Sequence, residues 1–136
     1  MDETSTNVWE TKYKMWQPKN TKLPMVYTLP KKRDSNVTII GAITNKRNKI
    51  YFTISNSTNK ENVLAFFVHL NKEIGLNNKI IIMDNHPAHH CKVVSDYILS
   101  KGGETLFMPP ISSYFNPIET IWSWLKTKWR NELMIL

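Results

Sequence analysis

Three acidic residues are candidates for chemistry in this chain. Asp84 closes an apolar run, Lys79-Ile80-Ile81-Ile82-Met83-Asp84-Asn85, and Glu119 follows Asn116-Pro117-Ile118 at the head of a tryptophan-rich segment. Between Asp84 and Glu119 lie 34 residues, and a third acid, Asp2, stands far upstream in Met1-Asp2-Glu3-Thr4. One carboxylate at a strand end, a second on a helix and a third upstream suit a two-metal site for phosphodiester chemistry. Such a site holds its ions about 3.5–4 Å apart, one activating the attacking water or 3′-hydroxyl and one stabilising the leaving oxygen. Hard Mg²⁺ takes few protein oxygens because it keeps several waters, so three carboxylates suffice. Asp84 also stands just beyond a strand's carboxyl end, where ligands bind in α/β sheets. Plainer roles compete. Asp84-Asn85 can be a strand-ending turn, and Glu119, three residues after Asn116, can be the far half of a capping box.

The elements that must position these acids are legible from periodicity. Residues 3–16 alternate loosely, with Val8 and Trp9 in a polar setting, and suggest a strand or ribbon. Residues 17–35 hold Pro18, Pro24 and Pro30 and read as connection with a short extended piece at 25–29. Residues 37–44 and 49–55 form a β-rich pair about the turn Asn45-Lys46-Arg47-Asn48, which predicts a hairpin. Thr58-Asn59-Lys60-Glu61 predicts a capping box, and Val63, Phe66, Phe67, Leu70 and Ile74 form a helical stripe that Gly75 ends. Residues 79–84 predict a strand buried on both faces. A second helix is expected over 89–100, with Val93, Val94, Tyr97 and Ile98 inward and Gly102-Gly103 as its stop. A strand is expected over 105–108. A last helix over 117–132 is capped by Asn116 with Pro117 at its first position. Its stripe of Ile118, Ile121, Trp122, Leu125, Trp129 and Leu133 predicts core, with Trp124 off the stripe. Hairpin, helix, strand, helix, strand, helix predicts an α/β domain with a mixed sheet flanked by helices. That is the ribonuclease H-like order if one more strand precedes the hairpin.

Composition bounds the partners. The 136 residues make one domain by length, 41% of them apolar, with a net charge of +7 from 18 Lys plus Arg against 11 Asp plus Glu. That balance favours a polyanion, nucleic acid before membrane. Fifteen of the basic residues are Lys and 14 residues are Asn, so part of the charge reflects an A/T-rich coding sequence. Cys91 is the only cysteine, which excludes an intrachain disulfide and makes a reducing compartment the default. No run approaches the ~18 apolar residues of a membrane span. The polar first residues do not resemble a secretory signal.

The strings around the acids are specific. Asp84-Asn85-His86-Pro87-Ala88-His89 is similar to the Asp-Asn-x-x-x-His element of mariner-type transposases of the Tc/mariner superfamily. Met108-Pro109-Pro110, Ser112, Asn116-Pro117-Ile118-Glu119 and Trp122-Ser123-Trp124-Leu125-Lys126 resemble the family's Pro-Pro-Tyr-Ser-Pro-x-x-Asn-Pro-Ile-Glu segment and the helix after it. Asp2-Glu3-Thr4 looks like the start of the pattern, with Trp9 and Trp16 where aromatics are expected, and residues 37–43 look like its second strand. The likeness covers nearly the whole chain. Ile111, Ser113 and Tyr114 depart from the usual Tyr, Pro and acidic residue.

The resemblance implies a DDE catalytic domain with Asp2, Asp84 and Glu119 as catalytic residues and ligands of Mg²⁺ or Mn²⁺. Asn85, His89 and Asn116 would support them. The implied reaction is phosphodiester hydrolysis and strand transfer in cut-and-paste transposition. Its partners would be transposon-end DNA and a TA target site, and the full-length protein would be a homodimer. Lys126 and Arg130, seven and eleven residues after Glu119, could reach phosphate, as could the run Lys31-Lys32-Arg33. Each could equally be a solvated charged surface. Only Met1 precedes Asp2, whereas the family's first strand has several apolar residues there and helix-turn-helix segments upstream. The expectation is therefore an N-terminally truncated domain, catalytically inert or nearly so alone. The alternatives are a transposon-derived remnant that binds nucleic acid without cutting it, and another ribonuclease H-like nuclease. The expected location is the nucleus in a eukaryote, otherwise the cytoplasm, and not outside the cell. His86, His89, His90 and Cys91 lack the distant Cys/His pair of a zinc site, so capping, packing or exposure is expected of them.

Overall fold

Stretches of alternating and β-branched residues pair first with their neighbours in sequence. The computed structural model describes residues 1–7, 19, 36–45 and 49–133. The expectations for Val8, Trp9, Trp16, the piece at 25–29 and Lys31-Lys32-Arg33 lie outside these residues. Strand β1, Asp2–Asn7, pairs antiparallel with β2, Asn36–Ile43, which pairs antiparallel with β3, Ile50–Ser55. Farther along, β4, Ile80–Met83, pairs parallel with β5, Glu104–Phe107. The Met1 amino group donates to the Ile82 carbonyl at 2.8 Å, joining the start of β1 to β4. That bond links the β1–β2–β3 sheet to the β4–β5 pair, and the expected mixed α/β arrangement is present.

Among the described residues, three α-helices complete the fold. α1, Lys60–Ile74, begins one residue later than the expected box. Asn59, not Thr58, is its N-cap, and the Asn59 Oδ1 accepts from the Asn62 amide at 2.8 Å. Gly75 ends α1 at φ 64°, where a residue without Cβ is at ease. α2, Lys92–Ser100, starts three residues after the expected position, because residues 87–90 are held in turns. Val94 and Ile98 are buried as expected, but Val93 faces outward. α3, Ile118–Leu133, starts behind the Asn116 cap, whose Oδ1 accepts from the Ile118 amide at 3.3 Å.

The core lies on one side of the sheets. Ile40, Val63, Phe66, Phe67, Leu70, Leu76, Met83, Val94 and Ile98 form it, beneath α1 and α2. The expectation that β4 is buried on both faces is corrected: Ile81 and Met83 are buried, while Ile80 and Ile82 are exposed. Among the described residues only one face of the β4–β5 pair is covered. The α3 stripe also needs correction. Ile118 and Trp122 are buried and Ile121 and Leu125 half-buried, but Trp129 is 37% exposed, because only the first turns of α3 meet the sheet.

Those first turns dock through one glycine. Gly41 is opposite Asp2 on β1 and Phe52 on β3, so these three residues share a face. A Cβ on Gly41 would sit 2.6 Å from the Trp122 ring. Gly41→Ala should therefore push α3 off the sheet and cost about 1–3 kcal/mol, as overpacking does. Chemical unfolding followed by tryptophan fluorescence measures this. A wild-type midpoint would show that Trp122 does not press there.

Candidate active site

β1 supplies two carboxylates to opposite sides. Successive strand residues alternate faces, so Asp2 shares the Gly41 face against α3, whereas Glu3 shares the face of Ile40 over the core. Asp84 stands one residue past β4, and Glu119 is in the first turn of α3. Asp2 is buried, and its Oδ1 accepts from the Glu3 amide at 2.8 Å. Its carboxyl is pushed up from 3.8 to about 6, first by loss of water. The negative charges of Asp84, Glu119 and Glu3 add to this, against the hydrogen bond from the Glu3 amide. The charges of Asp84 and Glu119 thus reach Asp2, the acids coming from three separate elements.

Supporting residues surround them. The Asn85 amide donates to the Met108 carbonyl at 2.6 Å, tying the loop after β4 to the end of β5. The Asn116 carbonyl accepts from the Glu119 amide at 3.1 Å while its side chain caps α3, which fixes the turn that presents Glu119. Ile111 holds a left-handed φ of 58° in the loop before that turn, and the buried Ser112 hydroxyl donates to the Pro109 carbonyl. Lys126 is half-buried and Arg130 exposed on α3.

His89 is fully buried, with Nε2 at 2.5 Å from Glu3 Oε1 and Nδ1 at 2.7 Å from Asp84 Oδ1. Burial works against its charged form, but the hydrogen bond and charge of Glu3, then the Asp84 backbone and carboxylate, outweigh it and raise its pKa above 6.5. The neighbouring histidines diverge. The His86 Nδ1 accepts from the Ala88 amide at 3.3 Å, and His90 stacks on Phe107 at 4.0 Å with its Nε2 3.1 Å from Asn85 Oδ1. Cys91 is at the N-cap of α2. These four residues therefore have separate structural roles, as expected. Glu3 escaped the sequence reading. Its only signal was its place beside Asp2 on an alternating strand.

The DDE superfamily endonuclease family matches residues 1–135. The chain belongs to this family. The family is described as one of endonucleases, for which a divalent metal is implied. Among solved structures, the chain is similar to one described as the Mos1 transposase paired-end complex with left transposon end. The likeness has 14% identity and a TM-score of 0.58, and it covers 93% of this chain and 46% of that one. The chain therefore spans less than half of that protein's length. Likeness at this identity shows the fold, and it bears out the ribonuclease H-like architecture. A search of curated proteins finds no match.

The donor set suits the ion that the family implies. Asp2, Asp84 and Glu119 offer hard oxygens, and the unfavourable burial of the Asp2 charge near other acids is what a divalent cation would relieve. Without metal, the folded chain holds protons at Asp2 and His89 more tightly than the unfolded chain does. Each contribution to stability is complete below the group's ordinary value and lost as pH rises through the raised one. Metal-free melting temperature should therefore fall as pH climbs from 4 past 6 for Asp2, and further above 6.5 for His89. Asp2→Asn should flatten the lower part and raise the pH 7 melting temperature by about 3 °C or more, the effect of roughly 1 kcal/mol at this size. Thermal melts across pH in chelator check this. A metal-free stability that rises over that span would contradict it.

Proposed function

We propose that this chain is the catalytic domain of a mariner-type DNA transposase, with Asp2, Asp84 and Glu119 as the ligands of two Mg²⁺ or Mn²⁺ ions. The observation that carries the reading is the influence of two of the acids on the third. Asp84 and Glu119 both raise the proton affinity of a buried Asp2, although the acids come from β1, the end of β4 and α3. The bound ions would supply a lowered pKa for the attacking water or 3′-hydroxyl and charge for the leaving oxygen. The protein's share is position. Asn116 and Pro117 set the first turn of α3 under Glu119, Asn85 pins the loop after Asp84 toward the end of β5, and the Trp122–Gly41 contact seats α3 on β2 at the residue opposite Asp2.

The substrate of this reading is DNA. The full-length protein would act as a homodimer on transposon ends and join them at a TA step, which deforms readily. Lys126 and Arg130 follow Glu119 by seven and eleven residues on α3, about two and three helical turns away, and would bind phosphate there. The net charge of +7 agrees with a polyanionic partner. The compartment would be the nucleus in a eukaryotic host and the cytoplasm otherwise.

Two experiments test the reading. In the full-length protein, Asp84→Asn and Glu119→Gln should each lower Mn²⁺-dependent cleavage of element-end DNA by at least ~100-fold, the scale of a displaced reacting group. Their folding should persist by circular dichroism. Cleavage at the wild-type rate by either variant would refute the assignment. Lys126→Ala and Arg130→Ala should weaken binding of all duplexes alike, each lowering the salt dependence by about one counterion. Unchanged salt slopes would remove α3 from the DNA interface.

A further inference from the structure

Among the described residues, β1 and β4 share one main-chain hydrogen bond, from Met1 to Ile82. Two of the three acids sit on either side of that weakly paired junction, Asp2 on β1 and Asp84 just after β4. A side-chain bridge crosses the same junction: Glu3 Oε1 to His89 Nε2 at 2.5 Å, and His89 Nδ1 to Asp84 Oδ1 at 2.7 Å. The imidazole is fully buried, and the Glu3 side chain is 8% exposed.

We propose that Glu3 is a positioning residue for the metal site, acting through His89 to fix the carboxylate of Asp84. The inference rests on the metal-site reading of Asp84 given above. Carboxylates and carbonyls only accept hydrogen bonds, so Nε2 donates to Glu3 while Nδ1 donates to the Asp84 main-chain carbonyl at 3.3 Å, with Asp84 Oδ1 beside it as an ionic partner. One oxygen of Asp84 is thereby held against His89, which leaves the other for an ion. Because Glu3 follows Asp2 directly on β1, the bridge also sets the height of Asp2 relative to Asp84. Buried acceptors that orient ligands in this way are worth 10–100-fold in metal affinity or activity elsewhere.

The same three groups could instead be taken for a metal site, since their ligand atoms lie within 4.8 Å of one another. The contact lengths argue otherwise. Two ligands bound tetrahedrally at about 2.0 Å are separated by about 3.3 Å across the ion. The separations of 2.5 and 2.7 Å are too short to span an ion, and the shorter is a hydrogen bond.

Four variants of the 136-residue chain test the proposal, with free Mn²⁺ followed by electron paramagnetic resonance and folding by circular dichroism. Glu3→Gln keeps the reach of the side chain and an acceptor oxygen for His89. Glu3→Asp keeps the charge and shortens the reach by one methylene. Positioning predicts Mn²⁺ affinity within about 3-fold of wild type for Glu3→Gln, and losses of about 10–100-fold for Glu3→Asp and Glu3→Ala. A merely electrostatic role for Glu3 predicts the reverse order for the first two. A merely structural role lowers the melting temperature and leaves the Mn²⁺ midpoint in place below it. Either pattern overturns the proposal, and the first two variants decide if Glu3→Ala does not fold. Asp84→Asn separates the two readings. If it binds Mn²⁺ as wild type does, the metal-site assignment fails and the proposal falls with it. If it loses Mn²⁺ while Glu3→Asp and Glu3→Ala keep it, the assignment stands and the role of Glu3 is wrong.

Discussion

Burial of the Asp2 carboxylate near other acids is the constraint on which this site depends. Asp2 is buried, has lost water, and faces the charges of Asp84 and Glu119. Left to itself such a group of acids separates or takes up protons. The fold opposes separation by placing each acid on a different rigid element. Most of the contacts that fix these elements do not involve the acids themselves; the His89 contact to Asp84 does. The unfavourable burial of the Asp2 charge thus remains to be relieved by a cation.

Three kinds of contact provide this. Core packing of Phe66, Phe67, Val94 and Ile98 under the sheets sets where β1 and β4 lie. The Trp122 ring against Gly41 sets where α3 lies, and with it Glu119. Polar locks then set the local geometry: Asn116 at the start of α3, Asn85 on the Met108 carbonyl, and His89 between Glu3 and Asp84. The exposed face of β4 and β5, carrying Ile80, Ile82 and Leu106, takes no part in these contacts.

Much of this was legible in the sequence, and the departures have physical reasons. The hairpin of β2 and β3 and the stripes of α1 and α3 follow from periodicity, because their burial patterns are set by immediate neighbours. The end of α1 followed from Gly75 alone. The start of α2 was misplaced because His89 is drawn out of any helix by Glu3, 86 residues away in sequence. No local propensity encodes such a contact. The burial of Ile80 and Ile82 was overestimated for a related reason: an apolar run shows that a strand is short and hydrophobic, but not how many faces are covered. Asp84 and Glu119 were recognisable from their flanking strings. Asp2 had almost no signal of its own, and its proximity to the other two depends on the sheet. Glu3 had even less, since its partner could be known only after β1 and β4 were seen side by side.

The central claim concerns which three residues hold the ions, and a crystal grown in Mn²⁺ with anomalous scattering measured at the manganese edge tests it most directly. The account predicts anomalous peaks among Asp2, Asp84 and Glu119, two of them about 3.5–4 Å apart when DNA is bound, with His89 still bridging Glu3 and Asp84. A peak seated between Glu3, Asp84 and His89, with Asp2 and Glu119 unliganded, would contradict it.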